Sequence, residues 1–193
     1  MTTFVLHGGR VSLPTPGSTQ FYQHFTDLVP KDEVKILLCY WAREQSEWQE
    51  KFERDMQGIH KQTTKQVICT LVETPKNLFE KLPTYDVLYV AGGDAPPLER
   101  SYRELTGLKE QLQDKVFLGS SMGAFMASSN YVLSLEDQDE DTVHQGLSLL
   151  PINTLCHWDV EEKKERKLKL LQETKPYLPI LALDEGEIAV FHY

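Results

Sequence analysis

The sequence is poor in cysteine and in long apolar runs, and each shortage excludes a class of protein. Its three cysteines, Cys39, Cys69 and Cys156, are an odd, widely spaced set that predicts neither a disulfide framework nor a C-x-x-C metal pair. A reducing, cytoplasmic location is therefore expected. No apolar run approaches the roughly 20 residues of a bilayer span, and no basic segment followed by an apolar stretch opens the chain, so no membrane partner is expected.

Positive charge is also scarce. Lysine and arginine total 20 against 29 aspartates and glutamates, which gives a formal net charge of −9 over 193 residues. This sign disfavours a nucleic-acid surface, so no nucleic-acid partner is expected. The length and an ordinary globular composition predict a single domain over residues 1–193, present as a monomer or a homodimer.

Short apolar segments alternate with amphipathic ones along most of the chain. Unbroken apolar runs are typical of strands buried on both faces of a parallel sheet, and five are predicted, at residues 3–7, 35–41, 66–72, 86–91 and 115–118. Helical spacing of apolar residues predicts helices at 18–28, 43–59 and 97–113. The alternation predicts an α/β fold, a three-layer α/β/α sandwich around a mainly parallel sheet.

The last third of the chain has a different pattern. A charged helix is predicted at residues 159–173, followed by two strands at 180–184 and 187–192 joined by a tight turn at Glu185-Gly186. The sheet is therefore predicted to end in an antiparallel hairpin. The acidic stretch at residues 135–142 is expected to be a solvated loop.

The most specific feature is the segment GSSMG at residues 119–123, which matches G-x-S-x-G with Ser121 at its centre. A predicted strand precedes it and a small-residue helical segment follows, which is the setting of a nucleophile elbow. There the Ser121 hydroxyl would project from a strained turn, and the Met122 amide at the helix start would stabilise an oxyanion. The alternative is a small-residue turn that allows close packing of helix and sheet.

A serine nucleophile needs a base, and the base needs an orienting acid. His157 is the favoured base, because the apolar segment before it could return the chain to the sheet edge, and His7 at a strand exit is another possible site residue. The acid stays open among Asp159, the cluster at residues 136–141, Asp184 and Glu185. No P-loop, dinucleotide fingerprint or metal-ligand spacing is present, so neither a cofactor nor a metal is expected.

Five segments in this order resemble peptidase E, the aspartyl dipeptidases, and the related cyanophycinases, serine hydrolases of the class I glutamine amidotransferase-like superfamily. They are LHGG at 6–9, VAGGD at 90–94, GSSMGA at 119–124, GLSLL at 146–150 followed by CHW at 156–158, and LDEG at 183–186. The resemblance covers nearly the whole chain and implies a flavodoxin-like, class I glutamine amidotransferase-like fold.

The resemblance also implies roles for individual residues. Ser121 would be the nucleophile, His157 the general base and Glu185 the acid that orients it, with the Gly93 and Met122 amides as the oxyanion hole. The substrate would be a small peptide, in this family one with an N-terminal Asp.

The sequence departs from the family pattern near the substrate. The family's G-G-N-T loop has Asp94 in its third position, which adds a charge at an expected substrate-binding residue, and Met122 replaces a usual alanine. Peptidase E binds the Asp side chain with an arginine after the histidine segment. Arg166 lies in that region, with Lys163 and Lys164 as competitors, and an acidic chain needs such local positive charge to bind an acidic peptide.

These observations favour a serine peptidase that works through an acyl-enzyme. The alternative from another class is a non-catalytic binding or regulatory member of the superfamily that keeps the elbow for packing. A glutaminase is disfavoured because that chemistry uses a thiolate, and no cysteine occupies the elbow. Cys156, beside the candidate base, is predicted to be a buried core residue.

Overall fold

The computed structural model describes residues 1–133 and 142–193. The strands in these ranges are β1 Thr3–His7, β2 Glu33–Cys39, β3 Gln66–Val72, β4 Val87–Val90, β5 Val116–Ser120, β6 Asn130–Val132, β7 Val143–Gln145, β8 Asn153–Leu155, β9 Ile180–Ala182 and β10 Ile188–His192. The helices are α1 Pro16–Asp27, α2 Trp48–Gln62, α3 Pro75–Lys81, α4 Ala95–Ser101, α5 Leu108–Gln111, α6 Met122–Ala127 and α7 Lys164–Thr174. None of these helices is both long and apolar enough to cross a bilayer.

The main sheet has the strand order β10-β1-β5-β4-β2-β3, and all of its pairs except β10 with β1 are parallel. The five strands predicted from apolar runs are therefore confirmed, with ends shifted by a few residues. Neighbouring residues of a strand enter different apolar cores, as Leu37 and Leu38 do, because successive side chains of a strand point to opposite faces.

Helices cover both faces of this sheet. Phe25 of α1 and Ile59 of α2 pack in one core, while Leu98 of α4 and Phe125 of α6 pack in the other. Burial on both faces explains why the strands are apolar throughout rather than alternating. The predicted three-layer α/β/α sandwich is confirmed.

The chain ends in an antiparallel edge strand, as predicted, but the partner of that strand differs from the prediction. β10 pairs with β1, with Val190 opposite Val5, whereas β9 pairs in parallel with β8 in a second sheet of order β7-β6-β8-β9. The turn at Glu185-Gly186 lies where it was expected, with Gly186 at φ +76°. It leads from one sheet to the other instead of closing a hairpin.

Two predicted helices also differ from the structure. The single helix expected at residues 97–113 is divided into α4, a 3₁₀ turn at Tyr102–Leu105 and α5, because Gly107 at φ +86° breaks the helical path. The charged helix α7 begins at Lys164 rather than at Asp159 and packs on the second sheet. Of the acidic stretch predicted to be a loop, all but Thr142 lies outside the described residues.

Candidate active site

Ser121 occupies the sharp turn between β5 and α6. Its backbone has φ 49° and ψ −106°, a combination that residues other than glycine rarely adopt. The Ser121 N–H donates to the His7 carbonyl at 3.0 Å, and its own carbonyl accepts from the Phe125 N–H at 2.9 Å. The strained turn is therefore held from both sides, as the elbow interpretation requires.

The two glycines of the G-x-S-x-G pattern are needed for close backbone contact. A Cβ on Gly119 would lie 2.5 Å from the Gly123 carbonyl oxygen, and one on Gly123 would lie 2.0 Å from the Val90 carbonyl oxygen. Either methyl group would force the turn away from β4 or from α6. The two alternative interpretations of this segment were a nucleophile elbow and a turn that allows close helix–sheet packing. Both depend on the same two residues, Gly119 and Gly123.

His157 follows β8 and faces Ser121. Its Nε2 lies 3.1 Å from Ser121 Oγ. The backbone has φ 55°, and its N–H donates to the Gly8 carbonyl at 3.0 Å. The ring packs directly on Gly9, where a Cβ would lie 2.2 Å from His157 Cε1. Gly8 and Gly9, which follow β1, thus form the backbone surface against which the imidazole packs.

Glu185 lies on the other side of the imidazole. Its Oε1 is 2.8 Å from His157 Nδ1, and Arg10 Nε is 3.1 Å from the same oxygen. The side chain of Glu185 is only 7% exposed. Asp159 instead accepts the backbone N–H of Glu185 at 2.8 Å. The structure therefore brings Ser121, His157 and Glu185 into one hydrogen-bonded line and places Asp159 behind it.

His7 is a buried neighbour of this line. Its Nδ1 accepts the Gly9 N–H at 3.0 Å, and its Nε2 lies 3.3 Å from Ser18 Oγ. Burial, with a smaller contribution from the nearby His157, lowers the pKa of His7 to about 4. A neutral His7 with both nitrogens occupied supports the Gly8-Gly9 loop.

The loop after β4 supplies the second side of the site. Gly93 must be glycine here, because a Cβ would lie 2.0 Å from the Ala42 carbonyl oxygen, which also accepts the Asp94 N–H at 2.7 Å. Arg43 Nε donates to the Gly92 carbonyl at 2.8 Å. Because a trans peptide is planar, this bond fixes the Gly93 N–H in the opposite direction. Met122 contributes the first N–H of α6, next to Ser121.

Ser121, His157 and Gly93 line a cavity of about 430 Å³, and the charged residues described in its lining are mostly basic. Among the residues that the structure describes, the basic ones that line it are Arg10, Arg43, Lys51 and Arg54, and the acidic one is Asp94. An acidic protein thus places several cations beside Ser121, of which Arg10 and Arg54 are paired with the carboxylates of Glu185 and Asp55. Arg166 is an exposed residue of α7 and does not line this cavity.

The basic residues of α2 were missed by sequence reasoning, although a signal was present. Trp48, Phe52, Asp55 and Ile59 share one face of the helix, and Asp55 and Ile59 are its buried residues. A carboxylate at an apolar-face position is a sign of a built polar site. Met56, four residues after Phe52 and so at helical spacing from it, is only partly buried.

The cysteines lie in settings that disfavour a thiolate. Burial raises the pKa of Cys39 and of Cys69 to about 12, and raises that of Cys156 further. Cys156 is buried, as predicted, below Ser121. Over residues 1–133 and 142–193, no group of three or more His, Cys, Asp or Glu side chains could hold a metal ion.

Comparison with known proteins matches one family model and several solved structures. The family model of peptidase family S51 matches residues 5–192. A peptidase from an acI-B1 Actinobacterium superposes with a TM-score of 0.70 at 14% identity, over 100% of this chain and 84% of its own. A putative peptidase E protein from Listeria monocytogenes EGD-e gives 0.62 at 18% identity, over 100% and 99%. No curated protein sequence matches the chain.

Proposed function

This chain belongs to peptidase family S51, and on that premise we propose that it is a serine peptidase that cleaves small peptides through an acyl-enzyme. The observation that carries the proposal is the line from Ser121 Oγ through His157 to Glu185, with separations of 3.1 and 2.8 Å. A carboxylate only accepts hydrogen bonds, so His157 Nδ1 carries the proton and Nε2 is left as the acceptor for the serine hydroxyl.

The proposed reaction has two halves. In the first, Ser121 Oγ attacks the peptide carbonyl carbon while its proton moves to His157 Nε2. The tetrahedral intermediate collapses as that proton passes to the leaving amine, which departs and leaves an ester on Ser121. In the second, His157 takes a proton from water, the hydroxide attacks the ester, and the carboxylic acid leaves as Ser121 regains its proton. Glu185 holds the imidazole in place and stabilises its charged form throughout.

We assign the oxyanion to the Gly93 and Met122 amides. Both belong to the backbone around Ser121: one lies in the loop oriented by Arg43, and the other is at the start of α6. Rigid N–H groups of this kind stabilise a developing negative charge without reorganising during the reaction. The strained φ of Ser121 supports the assignment, because it sends the chain directly from the strand into the helix that carries the Met122 amide.

The proposed substrates are short peptides with an acidic residue. A cavity of about 430 Å³ is suited to a small ligand, and within the described part of the chain four basic residues and one acidic residue line it. The N-terminal Asp that the resemblance implies is consistent with that charge. Asp94 lies in the same cavity, where its carboxylate could accept from the peptide's free amino group.

Turnover of a short acidic peptide tests the proposal. Asp-Leu hydrolysis is followed by release of free leucine for the parent, Ser121→Ala and Ser120→Ala. We expect Ser121→Ala to abolish release while its melting temperature stays near that of the parent, and we expect Ser120→Ala to keep turnover. Release by Ser121→Ala at the parent rate would overturn the proposal and favour a non-catalytic binding role.

A further inference from the structure

The cavity beside Ser121 contains a second constellation that the triad does not use. Arg54 of α2 lines the cavity with its side chain 43% exposed, and its guanidinium is held by the neighbouring Asp55. Nε and Nη2 of Arg54 donate to Asp55 Oδ1 at 3.0 and 2.9 Å. A guanidinium has five N–H groups and two are used here, which leaves three to bind a ligand.

Asp55 is itself fixed by two tyrosines. Tyr22 donates to Oδ1 at 2.9 Å and Tyr40 donates to Oδ2 at 3.0 Å, while the carboxylate is completely buried. Burial raises the pKa of both tyrosines, and the nearby Asp55 raises it further, so both hydroxyls stay protonated as donors. With both oxygens of Asp55 occupied, the direction of the Arg54 fork is set before any ligand arrives.

A purely structural role for Arg54 accounts for only part of this arrangement. A buried carboxylate does need a partner cation. It does not need further cations in the same cavity, yet Lys51 and Arg43 also line it, in a chain whose net charge is −9. Like charges in one cavity repel one another, and an anionic ligand bound among them relieves that repulsion.

We infer that Arg54 binds a carboxylate group of the peptide substrate, and that Asp55 is the positioning residue that orients it. The inference rests on the proposed function for the identity of the ligand as a peptide. A planar guanidinium matches a carboxylate with paired hydrogen bonds, and a fork that is already oriented loses less entropy on binding. An Asp dipeptide offers two such groups, the side chain of Asp and the C-terminal carboxylate.

The role of Arg54 in binding can be tested separately from the proposed role of Ser121 in catalysis, because binding can be measured in a protein that lacks Ser121. Isothermal titration calorimetry on the Ser121→Ala protein compares three ligands: Asp-Leu, Asn-Leu without the side-chain charge, and Asp-Leu amide without the C-terminal charge. Adding Arg54→Met should weaken Asp-Leu binding by about 10- to 100-fold, the range for a lost charged hydrogen bond. The dissociation constant should stay unchanged for the one analogue that lacks the carboxylate bound by Arg54. That analogue therefore shows whether Arg54 binds the side-chain or the C-terminal carboxylate.

Further variants show whether a loss of binding comes from the missing guanidinium or from unfolding of the protein. Lys61→Met removes one positive charge from an exposed site on the same helix and should leave all three dissociation constants unchanged. Arg54→Lys keeps the partner cation for Asp55 but loses the fork, so it should fold and bind Asp-Leu with intermediate affinity. Asp55→Asn should weaken the binding of the two ligands that carry the carboxylate bound by Arg54. The dissociation constant of the analogue without that carboxylate should stay unchanged.

The inference fails if Arg54→Met weakens all three ligands equally or none of them, or if none of the three binds. It also fails if Arg166→Met produces the ligand-selective loss in its place. None of these outcomes bears on whether Ser121 is the nucleophile, since all are measured with the serine removed. Conversely, a parent protein that fails to hydrolyse Asp-Leu would contradict the proposed peptidase function without changing these dissociation constants.

Discussion

Asp159 accepts the backbone N–H of Glu185 at 2.8 Å, and the side chain of Glu185 in turn lies 2.8 Å from His157 Nδ1. Two acids that the sequence left as rivals therefore occupy successive places in one chain of contacts. Asp159 fixes the backbone from which the Glu185 side chain reaches the imidazole. Glu185 therefore has the proposed direct role, and Asp159 is a positioning residue.

Replacement of these two acids should have very different effects. Glu185→Gln keeps the shape of the side chain but cannot stabilise the charged imidazole, so kcat should fall by about 10³- to 10⁴-fold, as is typical when a triad acid becomes an amide. Asp159→Asn keeps an acceptor for the Glu185 N–H and should cost less than about tenfold. Steady-state kinetics on Asp-Leu measure both. A larger loss for Asp159→Asn would reverse the assignment.

Gly9 tests the support below the imidazole. Gly9→Ala would place a methyl group 2.2 Å from His157 Cε1 and should displace the ring, so kcat should fall by about 100-fold or more, since small misplacements of a catalytic group are costly. Gly107→Ala is the matched control, because Gly107 also has a positive φ but its added Cβ would meet nothing closer than 3.9 Å. Both should lose about 1 kcal/mol of stability or more to backbone strain, and Gly9→Ala should lose more than Gly107→Ala because of its clash with the ring. Equal kcat values in the two variants would contradict the proposed contact.

Arg43 tests the oxyanion loop. Arg43→Met removes the donor to the Gly92 carbonyl and frees the peptide that carries the Gly93 amide, so kcat should fall by about 10- to 100-fold, less than loss of the donor itself. Lys51→Met removes a neighbouring charge that lines the same cavity. It should raise KM and leave kcat within about threefold. A change confined to KM in both variants would show that Arg43 acts by its charge alone.

His7 should make stability depend on pH. Burial, with a further contribution from His157, lowers its pKa from 6.5 to about 4. The folded state keeps the ring neutral while the unfolded chain protonates it, so its contribution is complete above pH 6.5 and is lost as pH falls towards 4. The loss is about 3 kcal/mol. Urea unfolding at pH 7 and pH 4.5 should show a smaller decrease for His7→Gln than for the parent, and equal decreases would contradict the buried neutral ring.

The main sheet and the elbow could be predicted because local sequence determines both. A strand covered on both faces is apolar throughout, and the turn at Ser121 needs glycine on each side, which leaves the G-x-S-x-G pattern. The expected base and acid, His157 and Glu185, were found through their flanking segments. Only the structure places them 2.8 Å apart.

The second sheet and the basic lining could not be predicted in the same way. β6, β7 and β8 have three residues each, too few for a periodic pattern. β9 lies within a predicted strand, but its pairing with β8 and that of β10 with β1 depend on contacts distant in sequence. Arg54 gains its place through a buried carboxylate next to it, whereas Arg166 was selected by its distance from the histidine. The charge that lines the cavity depends on which helix packs beside it, α2 or α7. The sequence pattern alone does not determine which of the two helices does so.

A serine-reactive fluorophosphonate tests the central claim most directly, because it needs no knowledge of the substrate. The native protein is treated with the probe, and intact mass and peptide mapping then locate the adduct. We expect one adduct, on Ser121, that is absent from Ser121→Ala, retained in Ser120→Ala and formed much more slowly in His157→Ala. No adduct on the folded parent protein, or an equal adduct on Ser121→Ala, would contradict it.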